Sequence, residues 1–322
     1  IRAGRSHFQQ PGHRLAYEMT TRVRGGRYIV RGGAVIHGSV RVSGAKNHAL
    51  AAMCAALLTD EDVILENVPF ITDVETLADL LRSLGAKVER LPDGALLLNA
   101  AKVNTYEAPT ELISENRASF QVMGPLLGRH GFAASAPPGG DVIGQRPIDV
   151  HLSGFEAMGA TITREGERFV ARAPEGLTGT RVFMDYPSVS GTQNVMMAAV
   201  LARGHTTIVN AATEPEVQEL CHLLITGIGS QILEVDGVDR LRATRARIMP
   251  DRIEAGTWAI AAVMTGGELL VEQAPWEVMD ALLHKLRATG ATITTGPEGM
   301  HVRGTQPIRA VSFQALPYPG LA

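Results

Sequence analysis

Leu77-Ala-Asp-Leu-Leu-Arg-Ser-Leu-Gly85-Ala-Lys-Val88 is the stretch on which the fold turns. Leucines at 77, 80, 81 and 84 recur at three- and four-residue spacing, which lines them up on one face of a helix. Gly85 then supplies a left-handed cap, and Ala-Lys-Val opens a strand. The same order of helix, small-residue turn and strand returns in Phe155-Glu-Ala-Met-Gly159-Ala-Thr-Ile162, in Leu220 to Gly229-Ser-Gln-Ile232, and in Leu282-Leu-His-Lys-Leu-Arg-Ala-Thr-Gly290-Ala-Thr-Ile293. One glycine with a small residue after a helix is an ordinary cap. Four in the same context, about every 60 to 75 residues, mark a repeated supersecondary unit.

Alanine-rich segments precede most of these units: His48 to Leu58, Thr192 to Ala202 and Ile253 to Met264. Their small side chains let helices approach closely. Each is followed by an apolar, largely β-branched run, Val63-Ile-Leu, Thr206-Thr-Ile-Val or Glu268-Leu-Leu-Val, so helices and strands alternate throughout. The fold class is α/β, built from repeats.

Composition narrows the function classes. A chain of 322 residues with 45% hydrophobic content holds roughly two domains. Thirty Lys and Arg against 33 Asp and Glu leave a charge of −3, without the basic block that marks a nucleic-acid or anionic-lipid partner. The longest apolar stretch, His48 to Leu58, falls short of the ~20 residues of a membrane span. Two cysteines, Cys54 and Cys221, are too few for a disulfide scaffold or a zinc site, so no metal is expected and a reducing cytoplasm fits best. Ile1 to Gly26 has no periodicity and reads as a disordered extension without a signal-peptide core; the internal Met19 leaves it open whether residues 1–18 belong to the native protein.

Four polar interruptions of this apolar scaffold carry groups suited to anions or protons. In Val42-Ser-Gly-Ala-Lys46-Asn47 a turn leads into a helix start, whose free N–H groups and dipole favour an anion, and Lys46 adds a full charge. The bland alternative is a solvated lysine in a cap. Arg117 heads another apolar helix, placed to grip a diphosphate or to pair with Glu115. Gly139-Gly140-Asp141 and the following Arg146 combine a flexible loop, an acid and a cation, although a Pro-Gly surface turn reads the same way. Tyr186-Pro187-Ser188-Val189 opens a further helix, where Ser188 can cap the helix or meet a phosphate.

Ser43-Gly-Ala-Lys46-Asn47, Arg117-Ala-Ser, Gly144-Gln-Arg146-Pro-Ile-Asp149-Val-His151, Asn210-Ala-Ala-Thr-Glu214-Pro-Glu216 and Pro250-Asp-Arg252-Ile-Glu-Ala-Gly-Thr257 occur in that order. Together they resemble the enolpyruvyl transferases, in the UDP-N-acetylglucosamine branch rather than the shikimate-phosphate branch, from about Tyr28 onward. The resemblance implies an inside-out α/β barrel of βαβαββ-type units. Residues 47–249 would form a first complete domain and residues 27–46 with 250–322 a partial second one, with the active site in the cleft between them. It implies transfer of enolpyruvyl from phosphoenolpyruvate to the 3′-hydroxyl of UDP-N-acetylglucosamine, in peptidoglycan synthesis, with no cofactor. By the same resemblance Lys46 and Asn47 contact phosphoenolpyruvate. Arg117, the segment Arg146, Pro147, Ile148, Asp149, Val150, and the loop Tyr186, Pro187, Ser188, Val189 hold the sugar nucleotide. Asp141 falls where many relatives carry the loop cysteine that protonates C3.

Departures from the pattern give further expectations. An aspartate at 141 lacks the thiol that fosfomycin alkylates. Ser190-Gly-Thr stands where Gly-Ala-Thr is usual. The chain is short between Gly229 and Val238, so one strand or hairpin is expected to be trimmed. Pro317-Tyr-Pro-Gly-Leu-Ala322 resembles the segment that leads into the family's Thr-Asp pair, which does not follow, so the second domain is expected to be truncated and the helix Ile253 to Met264 to keep an uncovered apolar face. The alternative function is a truncated paralogue that binds a UDP-sugar without turnover.

Overall fold

The computed structural model describes residues 32–113, 117–139, 148–224 and 230–321. β1 (His37–Arg41) leads into α1 (Lys46–Ala55), which a 3-10 turn over Ala56–Leu58 extends; β2 (Val63–Glu66), α2 (Thr72–Ser83), β3 (Lys87–Arg90) and β4 (Leu96–Asn99) complete a first unit. The second runs through α3 (Thr110–Ile113), a 3-10 stretch (Arg117–Val122), α4 (Met123–His130), β5 (Phe132–Ser135), α5 (Asp149–Ala157), β6 (Thr161–Glu165) and β7 (Arg168–Arg172). The third comprises β8 (Arg181–Phe183), α6 (Val189–Ala199), β9 (His205–Val209), α7 (Pro215–Leu224) and β10 (Ile232–Asp236). The fourth comprises β11 (Thr244–Arg247), α8 (Arg252–Thr265), β12 (Glu268–Glu272), α9 (Asp280–Ala288), β13 (Thr292–Gly296) and β14 (Gly299–Arg303).

The glycines that punctuate the sequence do what their spacing predicts. Gly85, Gly159 and Gly290 follow α2, α5 and α9 at φ of 100°, 96° and 105°, in the left-handed region that side chains resist. Ala86 and Ala160 then donate back to Leu81 and Phe155 carbonyls, each at 3.0 Å, the six-to-one bond of a Schellman cap. Leu77, Leu80, Leu81 and Leu84 are all fully buried. Gly229 lies outside the described residues.

Each unit folds its last strands into a sheet of its own. The orders are β11-β2-β4-β3, β5-β7-β6, β8-β9-β10 and β1-β12-β14-β13. In the first, second and fourth units a hairpin follows the outer helix, and its second strand pairs antiparallel with the strand before that helix. In the third unit β10 itself pairs antiparallel with β9, and only residues 225–231 separate it from α7. Among the described residues, the third unit thus has one strand after its outer helix where the other three have two.

The alanine-rich helices lie inside and the sheets outside. Every residue of α1 from His48 to Cys54 is buried, as is every residue of α6 from Gly191 to Ala199, because small side chains let these helices be enclosed on all sides. One large core spans Ala45 to Ile248, and a smaller one joins Val42 to residues from Ala255 to Val302. We refer to these as the two lobes. α8 buries Ala255, Ala259, Ala262 and Val263, whereas Ile253, Ile260 and Met264 are 50%, 39% and 67% exposed, the uncovered apolar face expected for this helix. No described helix is long and apolar enough to cross a membrane.

The lobes are joined by an exchange of strands. β1 opens the first unit but pairs parallel with β12 of the fourth, and β11 opens the fourth unit but pairs parallel with β2 of the first. A recurring polar device ends these two parallel pairs and the parallel pair β8–β9 of the third unit. Asn67, Asn210 and Gln273 each follow the receiving strand with φ near +60° (57°, 59° and 60°). The side-chain amides of Asn67 and Asn210 donate to the carbonyls of Ile248 and Met184, just past β11 and β8, and Gln273 accepts from Arg41 at the end of β1.

Where the exchanged strands leave their sheets, Gly44 bridges Pro250 and lies against the Asn67 carbonyl. A Cβ at position 44 would sit 1.8 Å from that oxygen. Gly44→Ala is therefore expected to cost about 1–3 kcal/mol of folding stability through forced backbone movement. Gly159→Ala, which has open space around it, is expected to cost only the left-handed backbone strain of roughly 1–2 kcal/mol. Urea unfolding of both variants measures the difference.

Candidate active site

The two chain crossings between the lobes lie side by side. Ala45 N–H donates to the Met249 carbonyl (2.7 Å), and Asp251 N–H donates to the Ser43 carbonyl (2.9 Å). Immediately after them α1 and α8 begin. Asp251 is the N-cap of α8, its Oδ1 accepting from the N–H groups of Ile253 and Glu254 at 2.8 and 3.0 Å. Its Oδ2 accepts from Lys46 N–H at 3.1 Å, and Ala45, at the N-cap position of α1, supplies no side-chain cap of its own. One carboxylate therefore serves two helix starts. Asp251 and Glu254 have the spacing of a capping box, yet Glu254 reaches across to the backbone N–H and hydroxyl of Ser43 instead. Beneath the crossing His48 is buried, its Nδ1 accepting from Met249 N–H, and burial lowers its pKa to about 4, so it is neutral.

A cavity of about 450 Å³ opens at this junction. Lys46 and Asn47 at the start of α1 line it, as do Tyr186, Pro187, Ser188 and Val189 at the start of α6. The sequence motifs thus converge from two helix N-termini, each with a positive dipole and first-turn N–H groups of which Asp251 takes that of Lys46 and Ser188 that of Gly191. Lys46 Nζ lies 2.9 Å from Asp73, with both side chains partly exposed. Ser188 Oγ accepts from Gly191 N–H and so caps α6. Ser190, in its departure from the usual motif, brings a hydroxyl 3.3 Å from His151 Nε2.

Other expected site residues are placed differently. Ile148, Asp149 and Val150 start α5 and do not line this cavity: Val150 packs into the large core, and Asp149 Oδ1 accepts from Val150 N–H. Arg117 opens the 3-10 stretch before α4. Its side chain, with Asp141, Arg146 and Pro147, lies outside the described residues.

The cavity also holds groups that the motifs did not assign to the site: Asp73, Gln121, Gln193, Glu214 and Arg252. Arg252 pairs with Glu216, which is almost fully buried, at 3.0 Å through Nε, joining α8 of one lobe to α7 of the other. The Tyr318 ring lies 5.6 Å from the Arg252 guanidinium, and the Tyr318 carbonyl accepts from Thr213 Oγ1, so the carboxyl-terminal segment spans the same junction. Burial, opposed by backbone N–H groups of its own residue and of Tyr318, pushes the carboxyl of Glu214 above its ordinary range. The runs Glu214-Pro-Glu216 and Asp251-Arg252 were visible in the sequence, but their meeting depends on the two lobes coming together.

The chain matches the family described as EPSP synthase (3-phosphoshikimate 1-carboxyvinyltransferase) over residues 30–322. It is 43% identical over 300 residues to the UDP-N-acetylglucosamine 1-carboxyvinyltransferase of Gluconobacter oxydans (strain 621H), covering 91% of this chain and 72% of that protein. To the protein of the same name from Sorangium cellulosum (strain So ce56) it is 45% identical over 300 residues, covering 90% and 70%. Among solved structures the enolpyruvyl transferase NikO from Streptomyces tendae superposes with a TM-score of 0.79 at 21% identity, over 89% of this chain and 70% of that one. The EPSP synthase of Acinetobacter baumannii gives 0.68 at 15% identity, over 88% and 68%. The structural likeness establishes the fold alone.

The buried Glu214 gives this cavity a pH signature. With its pKa raised in the folded state, the group favours folding most at pH values below the ordinary glutamate range, and that contribution is lost as pH rises through the folded value. Glu214→Gln is expected to raise the thermal midpoint at pH 7 and to converge with the parent protein by pH 4, as measured by calorimetry.

Proposed function

We propose, for a chain that belongs to the EPSP synthase family, that it transfers the enolpyruvyl group of phosphoenolpyruvate to the 3′-hydroxyl of UDP-N-acetylglucosamine and releases phosphate. The observation that carries this reading is the 41–45% identity, over about nine-tenths of the chain, to proteins named UDP-N-acetylglucosamine 1-carboxyvinyltransferase. A place at the start of peptidoglycan synthesis and a cytoplasmic location belong to the same proposal.

The cavity chemistry supports it. Lys46 at the start of α1 offers a full positive charge to the phosphate or carboxylate of phosphoenolpyruvate, and Asn47 offers a neutral hydrogen-bonding amide beside it. The helix start at Ser188 to Ser190 suits the diphosphate of the nucleotide, with Tyr186 and Pro187 beside it. Arg117, Arg146 and Pro147 complete the nucleotide-holding set in this proposal, and Ile148, Asp149 and Val150 serve by anchoring the segment that carries Arg146. In the addition step the sugar oxygen bonds to C2 as its proton leaves to a base, and Asp141 delivers a proton to C3. In the elimination step the C2–O bond to phosphate breaks and the C3 methyl returns a proton, restoring the double bond. Lys46 acts electrostatically, holding the anionic carboxylate or phosphate in place and stabilising the charge that the phosphate takes up as its C2–O bond breaks.

Phosphate release from phosphoenolpyruvate that depends on UDP-N-acetylglucosamine is the direct test, and release driven by shikimate 3-phosphate instead would overturn the substrate assignment. In the same assay Lys46→Ala is expected to lower kcat/KM by about 10²–10³. With a carboxylate in place of a thiol at 141, turnover is expected to persist under fosfomycin, and mass spectrometry of the treated protein should show no adduct at Asp141. An adduct there, or inhibition at doses that stop enzymes with a cysteine at this position, would overturn the expected insensitivity.

A further inference from the structure

Beneath the cavity lies an amide pair with one donor too many. Gln193, on α6 one turn beyond Ser190, is 2% exposed, and Gln121, in the 3-10 stretch before α4, is 4% exposed. Gln121 Nε2 donates to Gln193 Oε1 at 2.6 Å. Gln193 Nε2 has no hydrogen-bond partner among the described residues. Both side chains line the cavity together with Lys46, Asn47, Ser188 and Ser190. Reversing both amides keeps the bond between them and moves the surplus N–H to Gln121, so the pair as a unit retains it in either orientation.

The next residue is fully paired by contrast, although His48 Nε2, His130 Nε2 and Thr206 Oγ1 also lack a partner among the described residues. Asn194 is fully buried, and its Nδ2 lies 3.1 Å from the Phe120 carbonyl and 2.9 Å from His151 Nδ1, while its Oδ1 accepts from Gly124 N–H at 2.7 Å. The amide next to Gln193 on α6 is thus satisfied on both sides. A donor left unpaired at a cavity lining costs folding stability unless a ligand oxygen completes it.

We propose that the Gln121–Gln193 pair determines specificity for the sugar of the nucleotide, its surplus N–H donating to a neutral oxygen of the hexose or its acetamido group. This rests on the function proposed above. The charged parts of the substrates have other partners in the same cavity: Lys46, Arg252 and the two helix starts match phosphate and carboxylate oxygens. The amide pair carries no charge, and the 3-10 stretch that holds Gln121 packs against both α6, whose start suits the diphosphate, and α1, whose start suits the reacting end. The sugar is the portion of the substrate that joins those two ends.

The test is calorimetric binding of UDP-N-acetylglucosamine and of UDP to the parent protein and to the Gln121→Met/Gln193→Met double variant, with thermal unfolding of each. The replacement is close in volume and removes both the bond and the unpaired donor, so the unliganded variant should unfold at the same temperature or higher. Its Kd for UDP-N-acetylglucosamine should rise about three- to tenfold, the loss of one neutral hydrogen bond, while its Kd for UDP stays unchanged. An unchanged Kd for the sugar nucleotide overturns the proposal. So does an equal loss for UDP, or a loss that tracks a lowered unfolding temperature. A single Gln193→Met variant, in which Gln121 keeps a cavity-side amide, should lose affinity less than the double variant; equal or greater loss contradicts a pair acting as one donor unit. A parent protein that binds no UDP-sugar overturns the proposed function itself.

Discussion

Asp251 holds the architecture at its narrowest point. Its carboxylate receives N–H groups from the first turn of α8 and from Lys46 at the start of α1, so two helices of different lobes are fixed to one side chain. Those helices start where they do because β1 and β11 have just been exchanged between sheets. Pairing of the exchanged strands fixes where each chain crossing falls, the crossings fix where the helices begin, and the helix starts form the wall of the cavity. The buried Arg252–Glu216 pair stands at the same junction and ties the other side of α8 to α7. A charge pair so deeply placed contributes little net stability over an apolar packing, but it tolerates no alternative partner and so favours one lobe arrangement.

The repeated unit was legible because its signals are local. An apolar stripe at helical spacing, a glycine and a β-branched run specify helix, cap and strand with no knowledge of what lies opposite, and Gly85, Gly159 and Gly290 bear this out. The exchange of β1 and β11 was less legible, since a parallel pairing across some 200 residues leaves no trace in either strand. Asn67, Asn210 and Gln273 form a second repeat of equal regularity that the sequence hides. Each is a common polar residue, and its role emerges only once the neighbouring strand supplies a partner.

The candidate site divides along the same line. Lys46, Asn47 and the run from Tyr186 to Val189 stood out because a polar interruption before an alanine-rich helix marks a helix start, and helix starts are where the cavity is built. Ile148, Asp149 and Val150 share a motif with Arg146, yet Val150 faces the core, as the first turn of an amphipathic helix requires. Glu214, Gln121 and Gln193 were not singled out because their significance lies in what surrounds them: burial for the carboxyl, and a shortage of acceptors for the amides.

The third sheet has a feature with an effect far from the cavity. Among the described residues β10 is the rim of that sheet, presenting backbone groups along which a strand from another molecule could zip. Its side chains discourage this. Glu234 and Asp236 lie on one face of β10, both reaching back to His205, with Thr207 also donating to Glu234. An incoming copy of the same strand would bring carboxylates beside carboxylates. A sheet bordered by β10 has a sticky rim, and the acidic residues along it act as a guard against aggregation, a requirement of colloidal solubility rather than of catalysis.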